Sequence, residues 1–270
     1  MFLSVDVGNT QTTLGLFDEE GTVLRQWRMA TDRTDTSDQL HETLYGYFQM
    51  LGLSLSSVDY VAIASVVPIL AQSWQRMVRT AFDIEPLMID ASRDCGIYIN
   101  MPDPRQVGAD RIANALAALT TYGAPVIVVD FGTATNIDVV DHTGAFRGGA
   151  IMPGLLLSAN SLFSRAAKLS SVPLVVPPHA LGDSTETAVQ SGIVIGAATQ
   201  IEGLVERIQQ ELAAEGDDIP RATVVGTGGY SETIAQATDI FDAIDPDITI
   251  RGIYQIYRHA VEKHAERKNK

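Results

Sequence analysis

Short apolar runs alternate with polar and glycine-rich stretches along the chain, and their lengths predict alternating strands and helices. In the first segment, MFLSVDVGNTQTTLGLF, two runs suited to strands, at residues 2–5 and 12–17, flank a polar turn. Short runs bounded by turn residues indicate β-strands. Within residues 38–51, Leu40, Leu44 and Leu51 recur at the period of a helix. The pattern predicts an α/β protein.

The remaining elements follow from the same signals. Apolar runs predict strands at 58–66, at 86–90 and from 222 onward, and longer amphipathic stretches predict helices at 69–81, 108–123, 155–167, 185–214, 231–238 and 250–267. Between them, Ile151–Gly154 has the proline and glycine expected of a turn.

The opening pattern occurs a second time. Residues 125–141, PVIVVDFGTATNIDVVD, again hold an apolar run, an Asp, a Gly two residues later, small polar residues and a second strand. Asp6 corresponds to Asp130 and Gly8 to Gly132, about 124 residues apart. This spacing is the size of a domain. We therefore expect a duplicated domain, with a site between the two copies.

Both copies carry side chains suited to phosphate chemistry. Glycine lets the backbone approach a phosphate, turn N–H groups form an anion-binding concavity, and threonine hydroxyls add donors. A carboxylate repels phosphate but holds a cation that bridges to it. The strand-end glycines of ATVVGTGGY, at 226, 228 and 229, admit a flat ligand, which suggests a nucleotide. The alternative for either hairpin is an ordinary turn.

Composition narrows the classes of partner. The chain has 270 residues, which suits one large or two small domains, and 46% of them are apolar. Its net charge of −14 argues against binding nucleic acid or an anionic membrane. An anionic substrate remains compatible with this charge, because a local Arg or a metal ion can reverse the field around it.

Cysteine and histidine usage points to a cytoplasmic protein without a zinc site. The single cysteine, Cys95, has no partner in the chain for a disulfide, and the five histidines lack metal-ligand spacing. The sequence shows neither a secretory signal nor an apolar run near the roughly 20 residues of a membrane span.

Three further residues have both a functional and a structural interpretation. Asp110 precedes an alanine-rich stretch, where it is either the N-cap of a helix or a general base for an alcohol. Its neighbour Arg111 suits a carboxylate or phosphate, or is a surface arginine. Tyr98 is a loop-anchoring aromatic or a substrate contact, and Thr185 is an N-cap or a substrate contact.

Two Asp-x-Gly hairpins with a glycine-rich turn resemble the actin-like ATPase superfamily. The resemblance sharpens to type III pantothenate kinase, over nearly the whole chain, in five motifs: DVGNTQTTLGLF at 6–17, VGADRIANALAA at 107–118, VVDFGTATNIDVV at 128–140, GGAIMPG at 148–154 and TAVQSGI at 187–193. It implies two duplicated actin-like, ribonuclease H-like domains, residues 1–118 and 119–270, with the nucleotide site in the cleft between them. Whether the last helix packs back on the first domain stays open.

The resemblance also implies a reaction and its cofactors. The expected activity is ATP-dependent phosphorylation of pantothenate, the first committed step to coenzyme A, with Mg²⁺ and a monovalent cation such as K⁺ or NH₄⁺, in a homodimer. By motif, Asp110 is the base, Asp130 binds the monovalent cation and Asp6 holds Mg²⁺, directly or through water. The ATP and phosphate residues are Asp6, Val7, Gly8, Asn9, Thr10, Gln11, Thr12, Thr13, Thr133, Gly228 and Gly229. The substrate residues are Tyr98, Gly108, Ala109, Asp110, Arg111 and Thr185, the last reaching in from the partner subunit.

Departures and competing functions remain. The family often has Thr where this chain has Asn136, and Asn where it has Ser184, and both replacements keep a small polar group. One alternative is a family member without this activity that acts as a regulatory accessory factor. Another is a structural or chaperone ATPase, for which the chain lacks room for the extra domains.

Overall fold

The computed structural model describes residues 1–165 and 171–268, which form two compact units. The first unit comprises Met1–Ala117 together with the segment that begins at Ile248, and the second comprises Ala118–Asp247. The chain thus leaves the first unit, builds the second and returns to the first.

Unit 1 is a five-stranded sheet with helices. Its strands are β1 (Phe2–Val7), β2 (Gln11–Phe17), β3 (Val23–Ala30), β4 (Tyr60–Ser65) and β5 (Leu87–Met88), in the order β3-β2-β1-β4-β5. The first three strands are antiparallel, whereas β4 runs parallel to β1 and β5 parallel to β4. The helices are α1 (Ser37–Met50), α2 (Pro68–Phe82) and the start of α3 (Ala109–Tyr122), whose end belongs to unit 2.

Unit 2 repeats this sheet. Its strands are β6 (Val126–Phe131), β7 (Ala134–Val140), β8 (Phe146–Pro153), β9 (Thr223–Gly228) and β10 (Ala243–Ile244), in the order β10-β9-β6-β7-β8. As in unit 1, an antiparallel hairpin is followed by a strand parallel to its first member. The helices are α4 (Leu155–Arg165), α5 (Thr185–Gln190), a π-helical turn (Ser191–Ile195), α6 (Gly196–Ala213) and α7 (Ser231–Ala235). The last helix of the chain, α8 (Ile248–Lys268), belongs to unit 1.

The duplication extends to the turn after the second strand of each sheet. In unit 1 the carboxylate of Asp18 accepts the N–H of Thr22 at 2.7 Å, and in unit 2 that of Asp141 accepts the N–H of Ala145 at 3.1 Å. Gly21 and Gly144 stand at the same place in the two turns, with φ of 87° and 82°. A left-handed backbone favours glycine, so both turns depend on it.

The two copies differ by one residue in the first turn. Asp6 pairs with Thr13 across the first hairpin, whereas Asp130 pairs with Asn136 across the second. The second turn is therefore one residue shorter, which accounts for the one-residue offset of the later glycines.

Each sheet packs its apolar residues against its own helices. In unit 1, Leu44 and Phe48 of α1 and Trp74 of α2 are at most 1% exposed. In unit 2 the helical stretch Thr185–Ala213 is long and apolar enough to cross a membrane. The side chains of Ile201 and its neighbours on α6 nevertheless lie in the core of unit 2 against the sheet. About 33% of the most apolar window of this stretch is buried, so part of the helix contributes to this core.

Helix α8 packs on β1 in unit 1. The ring of Phe2 lies 5.2 Å from that of Tyr254 and 4.6 Å from that of Tyr257. The helix also approaches α3 closely, because a Cβ added to Gly252 would stand 2.0 Å from the carbonyl oxygen of Ala113.

Three predicted elements differ in the structure. Ile151–Gly154, expected as a turn, continues β8 as far as Pro153. Strand β8 lies at the edge of its sheet, where a proline costs little because one side of the strand needs no ladder hydrogen bond. The strand expected at 86–90 has only two residues, and the helix expected at 231–238 ends at Ala235. Residues 166 and 167 of the helix expected at 155–167 lie outside the described residues.

Candidate active site

The first phosphate motif forms the turn between β1 and β2. The N–H of Gly8 donates to the carbonyl of Gln11 at 3.1 Å, and a Cβ on Gly8 would stand 2.8 Å from that oxygen. The predicted residues 6–13 divide by exposure. Asn9, Thr10 and Gln11 are exposed, whereas Val7 and Thr12 are buried. The buried members support the turn, and the exposed ones can meet a ligand.

The corresponding turn in unit 2 has more space at its glycine, because a Cβ added to Gly132 would stand 3.5 Å from the carbonyl oxygen of Ala134. Gly132 and Thr133 are exposed, and the N–H of Gly132 donates to the carbonyl of Ala134 at 3.1 Å. Behind the turn, the N–H of Gly154 donates to the carbonyl of Thr133 at 3.2 Å, and a Cβ on Gly154 would stand 2.4 Å from that oxygen. The backbone of Gly154 therefore packs directly against that of Thr133.

Asp130 lies beside the predicted nucleotide glycines. Its strand runs parallel to β9, where Thr227 is its partner. A Cβ on Gly228, whose φ is +88°, would stand 2.6 Å from Oδ1 of Asp130. By contrast, no heavy atom lies within 4 Å of a Cβ placed on Gly229, so a ligand has room there. Gly226 was also expected to admit the ligand. A Cβ added there would instead stand 2.7 Å from the side chain of Ile244 and 3.1 Å from that of Phe241, so these side chains occupy the space beside it.

Asp110 lies in the first turn of α3, one residue beyond the helix start. The first helical bond runs from the N–H of Ile112 to the carbonyl of Gly108, so Gly108 holds the N-cap position. The carboxylate of Asp110 accepts the N–H of Arg111 at 2.8 Å. This carboxylate also lies close to Gly108, because a Cβ added to Gly108 would stand 2.5 Å from Oδ1 of Asp110.

Burial raises the pKa of the Asp110 carboxyl, and it outweighs the backbone N–H groups and the charge of Arg111, which act in the opposite direction. A carboxylate held in this way is a stronger base than a solvated one.

A short series of contacts joins Asp110 to the first phosphate turn. The N–H of Val66, just after β4, donates to the carbonyl of Val7 at 3.1 Å, at the end of β1. The side chain of Val66 would stand 3.5 Å from a Cβ on Gly108. Asp110 and the β1–β2 turn therefore lie at the same edge of the unit 1 sheet.

The other predicted substrate residues differ in exposure. Tyr98 is 72% exposed, which does not suit a loop-anchoring aromatic. Thr185 is also exposed and begins α5 without capping it. The N-cap is Ser184, whose hydroxyl accepts the N–H of Thr187 at 3.1 Å. Ala109 is buried, and Arg111 is partly exposed.

The carboxylates expected to hold cations fit that task by chemistry. Mg²⁺ and K⁺ are hard cations that take oxygen ligands. Asp6 and Asp130 are both partly buried, at the end of the first strand of their sheets. Among the described residues no three His, Cys, Asp or Glu side chains cluster as a metal centre.

Sequence reasoning missed one cation beside the phosphate turn. A guanidinium N–H of Arg33, in the loop after β3, donates to Oδ1 of Asn9 at 3.1 Å. The two residues are 24 positions apart, and no local motif marks Arg33.

The two equivalent five-stranded sheets, each with its Asp-x-Gly turn, have the fold of the actin-like ATPases and sugar kinases. One similar structure is the activator of 2-hydroxyisocaproyl-CoA dehydratase from Clostridium difficile with bound ADPNP, at a TM-score of 0.52 and 14% identity. That alignment covers 100% of this chain and 98% of the other. Another is the ethanolamine utilization protein EutJ from Carboxydothermus hydrogenoformans, at 0.52 and 17%, covering 94% and 89%.

The family follows from sequence. The model of the type III pantothenate kinase family matches residues 2–207. A type III pantothenate kinase from Bacillus cytotoxicus is 39% identical over 265 residues, which are 98% of each chain. Another from Roseiflexus sp. is 42% identical over 257 residues, 95% of this chain and 98% of the other. The chain belongs to the type III pantothenate kinase family.

Proposed function

We propose that this protein transfers the γ-phosphoryl group of ATP to the primary hydroxyl of pantothenate, giving 4'-phosphopantothenate and ADP, the first step of coenzyme A biosynthesis. Family membership over nearly the whole chain carries the proposal. The local geometry supports it, because a carboxylate suited to be a base lies at the same sheet edge as the first phosphate turn.

In this mechanism Asp110 accepts the proton of the hydroxyl while that oxygen attacks the γ-phosphorus. The new P–O bond forms as the bond to the β-phosphate oxygen breaks, and ADP leaves with the bonding electron pair. Most of the catalysis in such transfers comes from alignment and from neutralising charge. The raised pKa of Asp110 makes its carboxylate a better proton acceptor.

The two phosphate turns bind ATP in this proposal. Exposed groups at residues 9–11 and at Thr133 meet phosphate oxygens, and the open space at Gly229 receives the nucleoside. Asp6 would hold Mg²⁺, directly or through water, and Asp130 would hold K⁺ or NH₄⁺. These cations supply positive charge that offsets the charge of the transferring phosphoryl group.

Pantothenate is bound by the residues around the base. Gly108, Ala109 and Arg111 surround Asp110, and the Arg111 guanidinium suits a carboxylate. The exposed Tyr98 completes this side, and Thr185 of a second copy reaches in across a homodimer interface. The proposed enzyme works in the cytoplasm.

The test is ADP release by the purified protein with MgATP, with and without pantothenate, in K⁺ and then in Na⁺. We expect pantothenate-dependent turnover that requires K⁺ and collapses in Asp110→Asn. Size-exclusion chromatography should give a dimer. A folded protein that hydrolyses ATP at the same rate with or without pantothenate would refute the assignment and favour a regulatory member of the family.

A further inference from the structure

The loop that follows β3 is fastened to the first phosphate turn. The N–H of Thr31 donates to the carbonyl of Thr10 at 2.9 Å. The hydroxyls of Thr31 and Thr12 lie 2.9 Å apart, and Thr12 is only 2% exposed. These contacts fix the position of the loop beside the turn, so a side chain from it has a defined approach to any phosphate bound there.

We propose that Arg33 is a further phosphate-binding residue of this kinase, which orients Asn9 and contacts the ATP phosphates from the loop after β3. The inference rests on the proposed function, because it assumes that the β1–β2 turn binds ATP. The Arg33 guanidinium donates to Oδ1 of Asn9 at 3.1 Å. That bond occupies the oxygen of the amide, so its NH₂ group remains the end that can donate to a phosphate oxygen.

The positive charge of Arg33 is also available to a bound phosphate. Most other arginines with a described contact are in ion pairs, as Arg79 is with Glu85 at 2.6 Å and Arg147 with Glu215 at 3.1 Å. Within residues 1–165 and 171–268, Arg33 is exposed and makes no ion pair. A guanidinium has five N–H donors, and the bond to Asn9 uses one of them.

The neighbouring acids do not neutralise Arg33 through contact. The carboxylate of Asp32 accepts the N–H and the hydroxyl of Thr34, at 2.9 and 2.7 Å, and these bonds lower its pKa. Burial together with the charge of Asp32 raises the pKa of Asp35. In a chain of net charge −14, an unpaired guanidinium at the turn is a local source of attraction for a polyanion.

Planar guanidinium groups bind phosphate oxygens through two parallel N–H bonds, which a lysine cannot reproduce. The experiment therefore compares Arg33→Gln and Arg33→Lys with the wild type. Arg76→Gln is the matched control, since Arg76 is exposed on α2 without an ion pair among the described residues. The readouts are the KM for MgATP, the KM for pantothenate and equilibrium binding of a fluorescent ATP analogue in the absence of pantothenate.

We expect Arg33→Gln to weaken ATP binding roughly tenfold to a hundredfold, as for loss of a hydrogen bond to a charged group. Arg33→Lys should fall between it and the wild type, and the KM for pantothenate should not change. Combining Arg33→Gln with Asn9→Ala should weaken ATP binding less than the two separate effects predict, because the residues act together.

Wild-type ATP binding by Arg33→Gln would overturn the proposal, and so would a similar rise in both KM values. A wild-type protein that binds the analogue but ignores pantothenate would refute the proposed acceptor instead. The role of Arg33 would still be decided by the binding measurement.

Discussion

Gly108 should be as sensitive to substitution as the base itself. In Gly108→Ala the new methyl group would stand 2.5 Å from Oδ1 of Asp110, whereas ordinary contacts of this kind lie at 3.4–4 Å. The carboxylate must move by about 1 Å and lose its 2.8 Å bond to the N–H of Arg111. A misplacement of about 1 Å costs roughly a hundredfold in rate, or about 2.7 kcal/mol of transition-state stabilisation.

The assay is steady-state turnover with MgATP and pantothenate. The kcat of Gly108→Ala should fall about a hundredfold, with the KM for ATP unchanged. Gly46→Ala on α1 is the control, because no heavy atom lies within 4 Å of a Cβ there. The double variant with Asp110→Asn should be no slower than Asp110→Asn alone. Wild-type kcat in Gly108→Ala, or additive losses in the double variant, would refute the reasoning.

Three further predictions concern stability and cation use. Burial raises the native pKa of Asp110, so the native state binds more protons than the unfolded chain between the two pKa values, and wild-type stability falls as pH rises through that window. The melting temperature of Asp110→Asn should therefore rise relative to that of the wild type as pH increases. A difference between the two melting temperatures that does not change with pH would contradict this. In Gly228→Ala the new methyl group would stand 2.6 Å from Oδ1 of Asp130, at a φ of +88°. This variant should need a higher K⁺ concentration for half-maximal turnover, with a smaller rise in the KM for pantothenate. An unchanged K⁺ requirement would count against a cation at Asp130. Gly252→Ala should lower the free energy of unfolding in urea by roughly 1–3 kcal/mol through overpacking, whereas Gly203→Ala on α6, with open space around it, should not.

The sequence was sufficient to predict the repeated strand-turn-strand unit. Asp6 and Asp130, with a glycine two residues later, are local patterns, and local patterns determine turns and strand ends. The repeats predicted a duplicated domain, which the two equivalent sheets confirm, whereas the actin-like fold class was predicted from the family resemblance and is confirmed by the similar structures. The edge strand that ends at Pro153 was missed because proline usually indicates a turn.

Contacts between distant residues were beyond local reasoning. Arg33 meets Asn9 across 24 positions, and α8 meets Ala113 only after the intervening unit. No sequence spacing indicates either of these two contacts, because tertiary packing determines which surfaces come together. The functional roles of Tyr98 and Thr185 stay predictions, although both side chains are exposed where a ligand could reach them.

The return of α8 to unit 1 has a consequence for how the protein is made. Strand β1 leaves the ribosome before unit 2, but the rings of Tyr254 and Tyr257 that cover Phe2 are translated after the whole of unit 2. At about 5–20 residues per second, β1 waits roughly 10 to 50 seconds for this helix. Unit 2, encoded without interruption, can fold during that delay. Unit 1 is thus completed after unit 2, and until α8 has been translated the apolar ring of Phe2 lacks the two tyrosine rings that cover it in the folded protein.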